Sequence, residues 1–537
     1  MQINYEDVNS KYIKYANFKL KHTKNEDKKE YLKKYIADLT IMDYQEAKKN
    51  KAIAESKRKR TMILSGNLGK TILMIIVPLA IYQLFNSLYS LIDAAICAQI
   101  STDAQANVVA INQIKSTISA FGAGLAAGGA VLVSRYFGAG DVKNARYASS
   151  NIFFMSIILS AILCLVLIPL SYPLLKLCQV PGASNPDVLI YFILQLFELV
   201  FVSLNNVFIG LEKAKGNSKV IMYLNLMVLI IKIGLTCLFV FGIGGDCKNI
   251  IYVEISTIIA QATLTIIGLF ILFSKNNILR LSLKMILPKK MFILPILRLS
   301  IPIFLGKFVM SLGKVVVNAM CGYYWNAVTD GLIVGTLGVS NNMCGLITSP
   351  TNSFEEGEST IVSQNLGNRN MKRTLKAFIY TLVGVTIVSV VGYVLMRFAF
   401  INQLVELFTS SDAKSDAYKQ MVKEIFVWDS LSIISLGITA GVLGLLYGFG
   451  QTKLSTILNL SRIGSRIIFL LIIHSLNPNM SATLCAGLSM GISNTIILLI
   501  SIVFLVVFLL YVKNKGYKGM KFSDPEPEMS ELVLDND

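Results

Sequence analysis

Long apolar runs alternate with short polar segments between about residue 70 and residue 512. Each run is long enough for a helix to cross the roughly 30 Å hydrocarbon core of a bilayer, where a helix satisfies its own backbone hydrogen bonds. The pattern therefore predicts an all-α integral membrane protein with twelve transmembrane helices. The predicted spans are 70–98, 106–134, 148–170, 188–211, 219–242, 250–273, 299–321, 332–362, 377–400, 425–447, 453–475 and 481–512.

The second half of this pattern repeats the first half in sequence. Residues 132–148 recur 229 positions later as residues 361–377, and the tetrapeptide GNSK at 216–219 returns as GQTK at 450–453. Because each copy holds an even number of helices, the two six-helix repeats are parallel. Duplicated bundles of this kind are typical of secondary transporters, in which two bodies rock around a site between them. The identical pairs of the longer repeat are Val133/Val362, Ser134/Ser363, Gly138/Gly367, Lys143/Lys372 and Ala148/Ala377.

The repeat and the polar ends divide the chain into five parts. A basic N-terminal extension (1–66) and a C-terminal tail (513–537) are predicted to be cytoplasmic. Between them lie an N-lobe with helices 1–6 (67–275), a cytoplasmic linker (276–298) and a C-lobe with helices 7–12 (299–512).

Composition supports a membrane protein and constrains its orientation. The chain is 54% hydrophobic and 15% charged, with a mean hydropathy of +0.60, which excludes a soluble globular protein of this length. Lys and Arg are concentrated in the even-numbered loops, so both termini should be cytoplasmic. The expected location is the plasma membrane. This asymmetry and the basic extension account for the net charge of +18 without nucleic-acid binding. The extension either contacts anionic membrane lipids or is a solvated segment.

Several classes of chemistry have no support in the sequence. The eight cysteines lack C-x-x-C spacing and His22 lies far from His474, so we expect no metal site. Residues 66–71 resemble the end of a phosphate loop, but Leu64 stands where its first glycine belongs. No hydrolase motif appears, so we expect no enzyme activity and no cofactor beyond a coupling ion, H⁺ or Na⁺. The expected partners are a small-molecule substrate and membrane lipids, and the protein is expected to be a monomer.

The repeated motif also resembles a known family. The sequence SRYFGAGD at 134–141, with Pro78 and Asp93 upstream and GNSK at 216–219 downstream, is similar to the multidrug and toxic compound extrusion (MATE) family over roughly residues 66–512. The resemblance implies twelve helices in two six-helix lobes. It also implies export of organic, often cationic, compounds in exchange for Na⁺ or H⁺.

The sequence differs from the family pattern at the expected cation site. The family's N-lobe site resembles an Asp on helix 1 joined by Asn and Asp on helix 5. Asp93 matches the first of these, whereas Lys232 and Thr236 occupy the other two positions. Our hypothesis is that the Lys232 ammonium takes the place of the metal ion beside Asp93. The alternative is that the two residues form a permanent structural salt bridge.

Ionisable residues recur at membrane depth in the N-lobe. Each such group costs about 2.5 to 3.5 kcal/mol on insertion scales, so each should line a cavity or find a partner. With about 1.5 Å of rise per residue, five of them fall in one layer roughly 6 to 15 Å below the outer surface. We predict that this layer is a buried network in which a proton or cation is exchanged. The five residues are Asp93, Lys115, Glu198, Lys232 and Glu254.

The C-lobe has a second set of charged residues, nearer the cytoplasm. Three glutamates on helix 8 lie at a depth similar to that of Lys307 and Arg462. Arg466 is the repeat counterpart of Lys232, and Lys314 follows Lys307 by seven residues on the same helix face. The alternative for the glutamates is that helix 8 ends early and leaves them at the interface; Asp429 is also predicted to be interfacial. The three glutamates are Glu355, Glu356 and Glu358.

Four further residues are predicted to be structural. Pro78 and Pro302 occupy equivalent places in helices 1 and 7 and could bend them. Gly138 and Gly367 are identical in the two copies of the repeat.

Together these features predict a secondary active efflux transporter. It would export drugs, toxic cations or metabolites by H⁺- or Na⁺-coupled antiport, with the two lobes alternating access. The alternative is a flippase for anionic lipid-linked saccharides, since six basic residues would give a cationic cavity suited to phosphate. Those six are Lys115, Lys232, Lys307, Lys314, Arg462 and Arg466.

Overall fold

The computed structural model is built from helices packed side by side. It describes residues 19–20, 26–100, 102–178, 180, 182–243, 249–286, 290–325, 329, 332–409, 416–477 and 480–534. Within these ranges the structure has no strand beyond isolated bridges. The prediction of an all-α membrane protein is confirmed.

A long helix, α1 (Glu26–Ser65), precedes the first lobe. The N-lobe consists of α2 (Leu68–Ile100), α3 (Thr102–Gly138), α4 (Val142–Leu167), α5 (Pro186–Ala214), α6 (Ser218–Cys237) and α7 (Ile250–Phe273). The C-lobe consists of α8 (Lys290–Trp325), α9 (Ile333–Gly367), α10 (Met371–Val394), α11 (Asp416–Asp429), α12 (Leu431–Phe449), α13 (Thr452–Leu476) and α14 (Ala482–Lys515). Short helices cover Ser171–Leu177 and Ile401–Thr409, and α8 begins inside the segment predicted as a linker.

The helices match the predicted membrane spans in number. By length and composition, eleven stretches of the described chain can cross a membrane, and α11 and α12 count together as one of them. Helix α9 is not among the eleven because it is more polar, but it has 35 residues and packs against α2, α3 and α12. With α9 included, the structure gives twelve crossings.

The repeat is also visible in the backbone. Gly140 (φ +80°) and Arg369 (φ 60°) occupy equivalent positions and both adopt the left-handed conformation that ends a helix. The next helix then begins with equivalent caps, because Asp141 accepts a bond from Asn144 N and Asn370 accepts one from Arg373 N, each at 2.9 Å. The two halves are therefore copies in conformation as well as in sequence.

The two lobes touch closely where these copies meet. A Cβ atom on Gly138 would lie 2.1 Å from the Gln364 carbonyl oxygen, and one on Gly367 would lie 2.1 Å from the Arg135 carbonyl oxygen. Since no larger side chain fits at such distances, glycine at both positions lets the ends of α3 and α9 approach.

The chain termini reinforce this contact. Arg60 near the end of α1 donates to the carbonyl oxygens of Phe137 (2.8 Å) and Gly138 (2.7 Å) and to that of Ser530 in the C-terminal tail (2.6 Å). Ser530 also binds Asn368 in the C-lobe through its backbone N–H at 3.0 Å. Burial lowers the pKa of Arg60 to about 10, so the guanidinium is still charged at neutral pH. The last turns of α1 are therefore packed against the lobes and are not a solvated segment.

Candidate functional site

The N-lobe charges form a compact group beneath the outer ends of the helices. Lys115 on α3 makes a salt bridge with Glu198 on α5, and Glu198 is buried. Lys232 on α6 and Glu254 on α7 are each 2% exposed. Four helices thus bring two bases and two acids of the predicted layer into the protein interior.

Gln195 links Glu254 to neighbouring polar side chains on α3 and α5. Gln195 Nε2 donates to Asn112 Oδ1 at 2.8 Å and to the Tyr191 hydroxyl at 3.1 Å, and it lies 3.4 Å from Glu254 Oε2. No hydrogen-bond partner among the described residues reaches Glu254 Oε1. One carboxylate of the layer, Glu198, is therefore paired with Lys115, and the other, Glu254, lies beside the Gln195 amide and the Glu198 carboxyl. Nothing in the sequence marked Gln195, because an uncharged residue in an apolar run gives no signal of its own.

The predicted cation site can be described only in part. Thr236 does not join the carboxylates, since its hydroxyl bonds to the Ser256 hydroxyl at 2.6 Å. Asp93 lies in α2, but its side chain is outside the described part of the structure. The hypothesis that Lys232 replaces a metal ion beside Asp93 stays a prediction. Among the described residues, no three His, Cys, Asp or Glu side chains are grouped to hold a metal ion.

The C-lobe glutamates lie inside a continuous helix. Helix α9 extends to Gly367, nine residues past the last glutamate, so the alternative of an early helix end is wrong. Glu356 makes a 2.8 Å salt bridge with Lys213 at the end of α5, which ties the two lobes together. No local signal in the sequence marks this pair, because the partner of Lys213 comes from the other repeat.

Glu358 has no ionic or hydrogen-bonded partner among the described residues. Its side chain is 0% exposed, and neither carboxyl oxygen has a hydrogen-bond partner there. It packs against Gly444 of α12, where an added Cβ would lie 2.9 Å from Glu358 Oε2. An ionised carboxylate in this setting would cost several kcal/mol, since nothing replaces its hydration.

The two predicted arginines of the C-lobe bond to neutral groups. Arg462 Nε donates to Asn494 Oδ1 at 2.8 Å, and Arg466 Nε donates to Ser493 Oγ at 3.2 Å. Lys314 is exposed and Lys307 is half-buried. Within the described chain, none of these four bases has a carboxylate within 4 Å, so they do not pair with the glutamates of α9.

Asp429 is buried by protein, and the prediction that it lies at the depth of the membrane interface stays a prediction. It is 2% exposed and accepts hydrogen bonds from Ser340 and Ser432, both at 3.0 Å. The neighbouring Trp428 suggested an interface, because tryptophan is enriched there. In the structure α11 packs against α9, which supplies Ser340.

The N-lobe charged layer and Lys314 of the C-lobe lie on the same side of the contact between the lobes. Phe121 on α3 stacks on Phe304 on α8 with ring centroids 3.9 Å apart, and Ser300 Oγ lies 3.4 Å from the Leu125 carbonyl oxygen. Lys115 lies about 9 Å before Phe121 along α3, and Lys314 lies about 15 Å beyond Phe304 along α8. The lobes are thus sealed toward the end with the basic loops, and the N-lobe layer and Lys314 lie beyond that seal.

Comparison with known proteins agrees with this architecture. The MatE family matches residues 78–238 and 302–472, which together are more than half of the chain. The multidrug export protein MepA of Staphylococcus haemolyticus is 24% identical over 433 residues, covering 77% of this chain and 90% of that protein.

Solved structures show the same fold. A structure described as the outward-facing conformation of a MATE family multidrug resistance transporter aligns with a TM-score of 0.76 at 18% identity, covering 84% of this chain and 98% of that one. A Pyrococcus furiosus transporter of the MOP superfamily, described as having a binding pocket of reverse polarity, aligns with a TM-score of 0.77 at 18% identity over the same shares of the chains.

Proposed function

The chain belongs to the MatE family of multidrug efflux transporters, and on that premise we propose that it exports small organic compounds by proton-coupled antiport with alternating access of the two lobes. The flippase alternative is not favoured, since the relatives found by sequence are multidrug export and resistance proteins. The plasma membrane, with both termini in the cytoplasm, fits the basic loops on one side.

The environment of Glu358 is our reason for proposing H⁺, and not Na⁺, as the coupling ion. A buried carboxyl with no hydrogen bond to either oxygen is far more stable when neutral, so we propose that it holds a proton in this conformation. Opening of the sealed side would separate α9 from the N-lobe and break the Lys213–Glu356 salt bridge. The released Lys213 ammonium and entering water would then favour loss of the Glu358 proton to the cytoplasm.

The gradient supplies enough free energy for this exchange. One charge entering at about 150 mV yields about 3.5 kcal/mol, which supports roughly a 300-fold concentration gradient of a neutral substrate. A single proton per cycle is therefore sufficient for useful export.

Uptake of a fluorescent organic cation into inverted membrane vesicles tests proton-coupled export. We expect uptake driven by an imposed pH gradient and its loss in Glu358→Gln, with the same assay on Asp93→Asn testing the N-lobe site. Glu406→Gln is the matched control, because Glu406 is an exposed glutamate of the same lobe. Uptake that follows a Na⁺ gradient alone, or that persists in Glu358→Gln, would contradict proton coupling through this residue.

A further inference from the structure

Three basic side chains of the C-lobe are not used by the proton step. Lys314, Arg462 and Arg466, which we call the C-lobe basic cluster, lie along the seam between α8 and α13. The helices approach closely there, since a Cβ on Gly313 would lie 2.4 Å from the Ile463 side chain. Arg462 reaches across the seam to within 3.9 Å of the Met310 sulfur.

The cluster faces the space between the lobes. Ser300 and Lys314 are fourteen residues apart on α8 and therefore lie on one face of the helix. Ser300 touches the N-lobe through Leu125, so Lys314 points toward the N-lobe side beyond the seal. The exposed apolar side chains Leu305 and Leu312 lie on another face, which is suited to lipid.

Positive charge exceeds negative charge at this place. Within the described chain, none of the three bases has a carboxylate within 4 Å, and the arginines bond to Ser493 and Asn494. Asp429 is the carboxylate whose charge acts on all three, and it is already held by serine hydroxyls. Arg466 is only 3% exposed, and a buried cation needs a compensating negative charge.

We propose that the C-lobe basic cluster binds an anionic group, a carboxylate, sulfonate or phosphate, of the compound that the protein exports. This inference rests on the proposed export function and assigns it a substrate class. The planar guanidinium of Arg462 matches the geometry of such groups, and Lys314 adds a second donor from the opposite side of the seam. The substrate is then an organic anion, or a zwitterion held by its negative end.

Binding of carboxyfluorescein, an anionic dye, to the full-length protein in detergent tests this site by fluorescence anisotropy. Losing one hydrogen bond to a charged group weakens binding about tenfold or more, so we expect that loss in Lys314→Gln and in Arg462→Gln. Lys314 is exposed, so its replacement should leave the fold intact. Lys453→Gln on α13 is the matched control, because Lys453 is exposed and outside the cluster.

Competition identifies the source of the anionic group. Inorganic phosphate and phosphatidylglycerol micelles are titrated separately against the bound dye. Displacement by phosphate assigns the site to soluble anions, and displacement by the lipid alone assigns it to a headgroup; both outcomes support an anion site. Equal dye affinity in the wild type and both cluster variants would overturn the proposal, as would displacement of the dye by ethidium, which is a cation.

This experiment separates the substrate class from the transport function. Dye binding needs no gradient, so bound anion without gradient-driven movement would refute export and leave the anion site standing. Gradient-driven export of ethidium, with no anion binding, would refute the anion site and leave export standing.

Discussion

The N-lobe and the C-lobe are two copies of one unit, yet they handle buried charge in opposite ways. In the N-lobe the Lys115–Glu198 salt bridge joins a base and an acid on neighbouring helices. In the C-lobe Glu358 has no partner within the described chain, and Arg462 and Arg466 bond to neutral side chains. The Lys115–Glu198 pair is thus balanced within the N-lobe, whereas Glu358 and the two arginines of the C-lobe lie apart and are available to a proton or a ligand.

Removing the base of the N-lobe pair should have the largest effect. We expect Lys115→Met to lower the free energy of unfolding by about 3 kcal/mol, because Glu198 would remain buried without its partner. Unfolding of the purified protein by titration with sodium dodecyl sulfate measures the change. The double variant Lys115→Met/Glu198→Leu should recover most of the loss. If Lys115→Met is as stable as the double variant, Lys115 does not compensate the charge of the buried Glu198.

A substitution on either side of the contact between the lobes should lower the stability by the same amount. Gly138→Ala and Gly367→Ala each place a methyl group about 2.1 Å from a carbonyl oxygen of the other lobe, so each should cost about 1 to 3 kcal/mol. Thermal unfolding in detergent gives the comparison.

Gly338→Ala is the control for these two variants, since nothing lies within 4 Å of a Cβ there. Alanine also favours a helix interior, so this control should be neutral or slightly stabilising. Unequal losses for Gly138→Ala and Gly367→Ala would show that only one copy of the repeat carries the contact.

Neutralising the isolated acid of the C-lobe should cost little stability. Glu358→Gln keeps the shape of a protonated carboxyl and breaks no ion pair, so we expect a change below about 1 kcal/mol. Glu198→Gln removes the charge that pairs with Lys115 and should cost more. The same detergent unfolding measurement compares them. If Glu358→Gln lowers the free energy of unfolding more than Glu198→Gln does, then Glu358 is the ionised carboxylate and Glu198 is not.

The helices and the internal repeat could be predicted from the sequence. Apolar runs gave the helices, and the identical residues 229 positions apart gave the repeat, because both signals lie along the chain. The cap residues Asp141 and Asn370 show the same repeat at atomic scale.

Pairings between distant segments could not be predicted. Lys213 meets Glu356 across the lobes, and Arg60 meets Ser530 across 470 residues. Neither partner differs locally from a solvated charge or loop residue, so only the packing of the helices reveals the pair. The burial of Asp429 is a similar case, because the Ser340 hydroxyl that donates to it comes from a distant helix.

A difference in ion dependence, not in stability, is expected from the two bases at equivalent positions of the repeats, and it sharpens the comparison between the lobes. Lys232 and Arg466 are 2% and 3% exposed, but Arg466 is held by Ser493 and Asn494. If Lys232 takes the place of a metal ion, Lys232→Asn supplies an oxygen ligand and should make dye export depend on Na⁺. Arg466→Asn should not, because its neighbours are not the acids of a cation site. Export measured in Na⁺-free and Na⁺-containing buffer decides this. Unchanged export and unchanged Na⁺ dependence in Lys232→Asn would rule the hypothesis out and leave the alternative, a permanent structural salt bridge between Lys232 and Asp93.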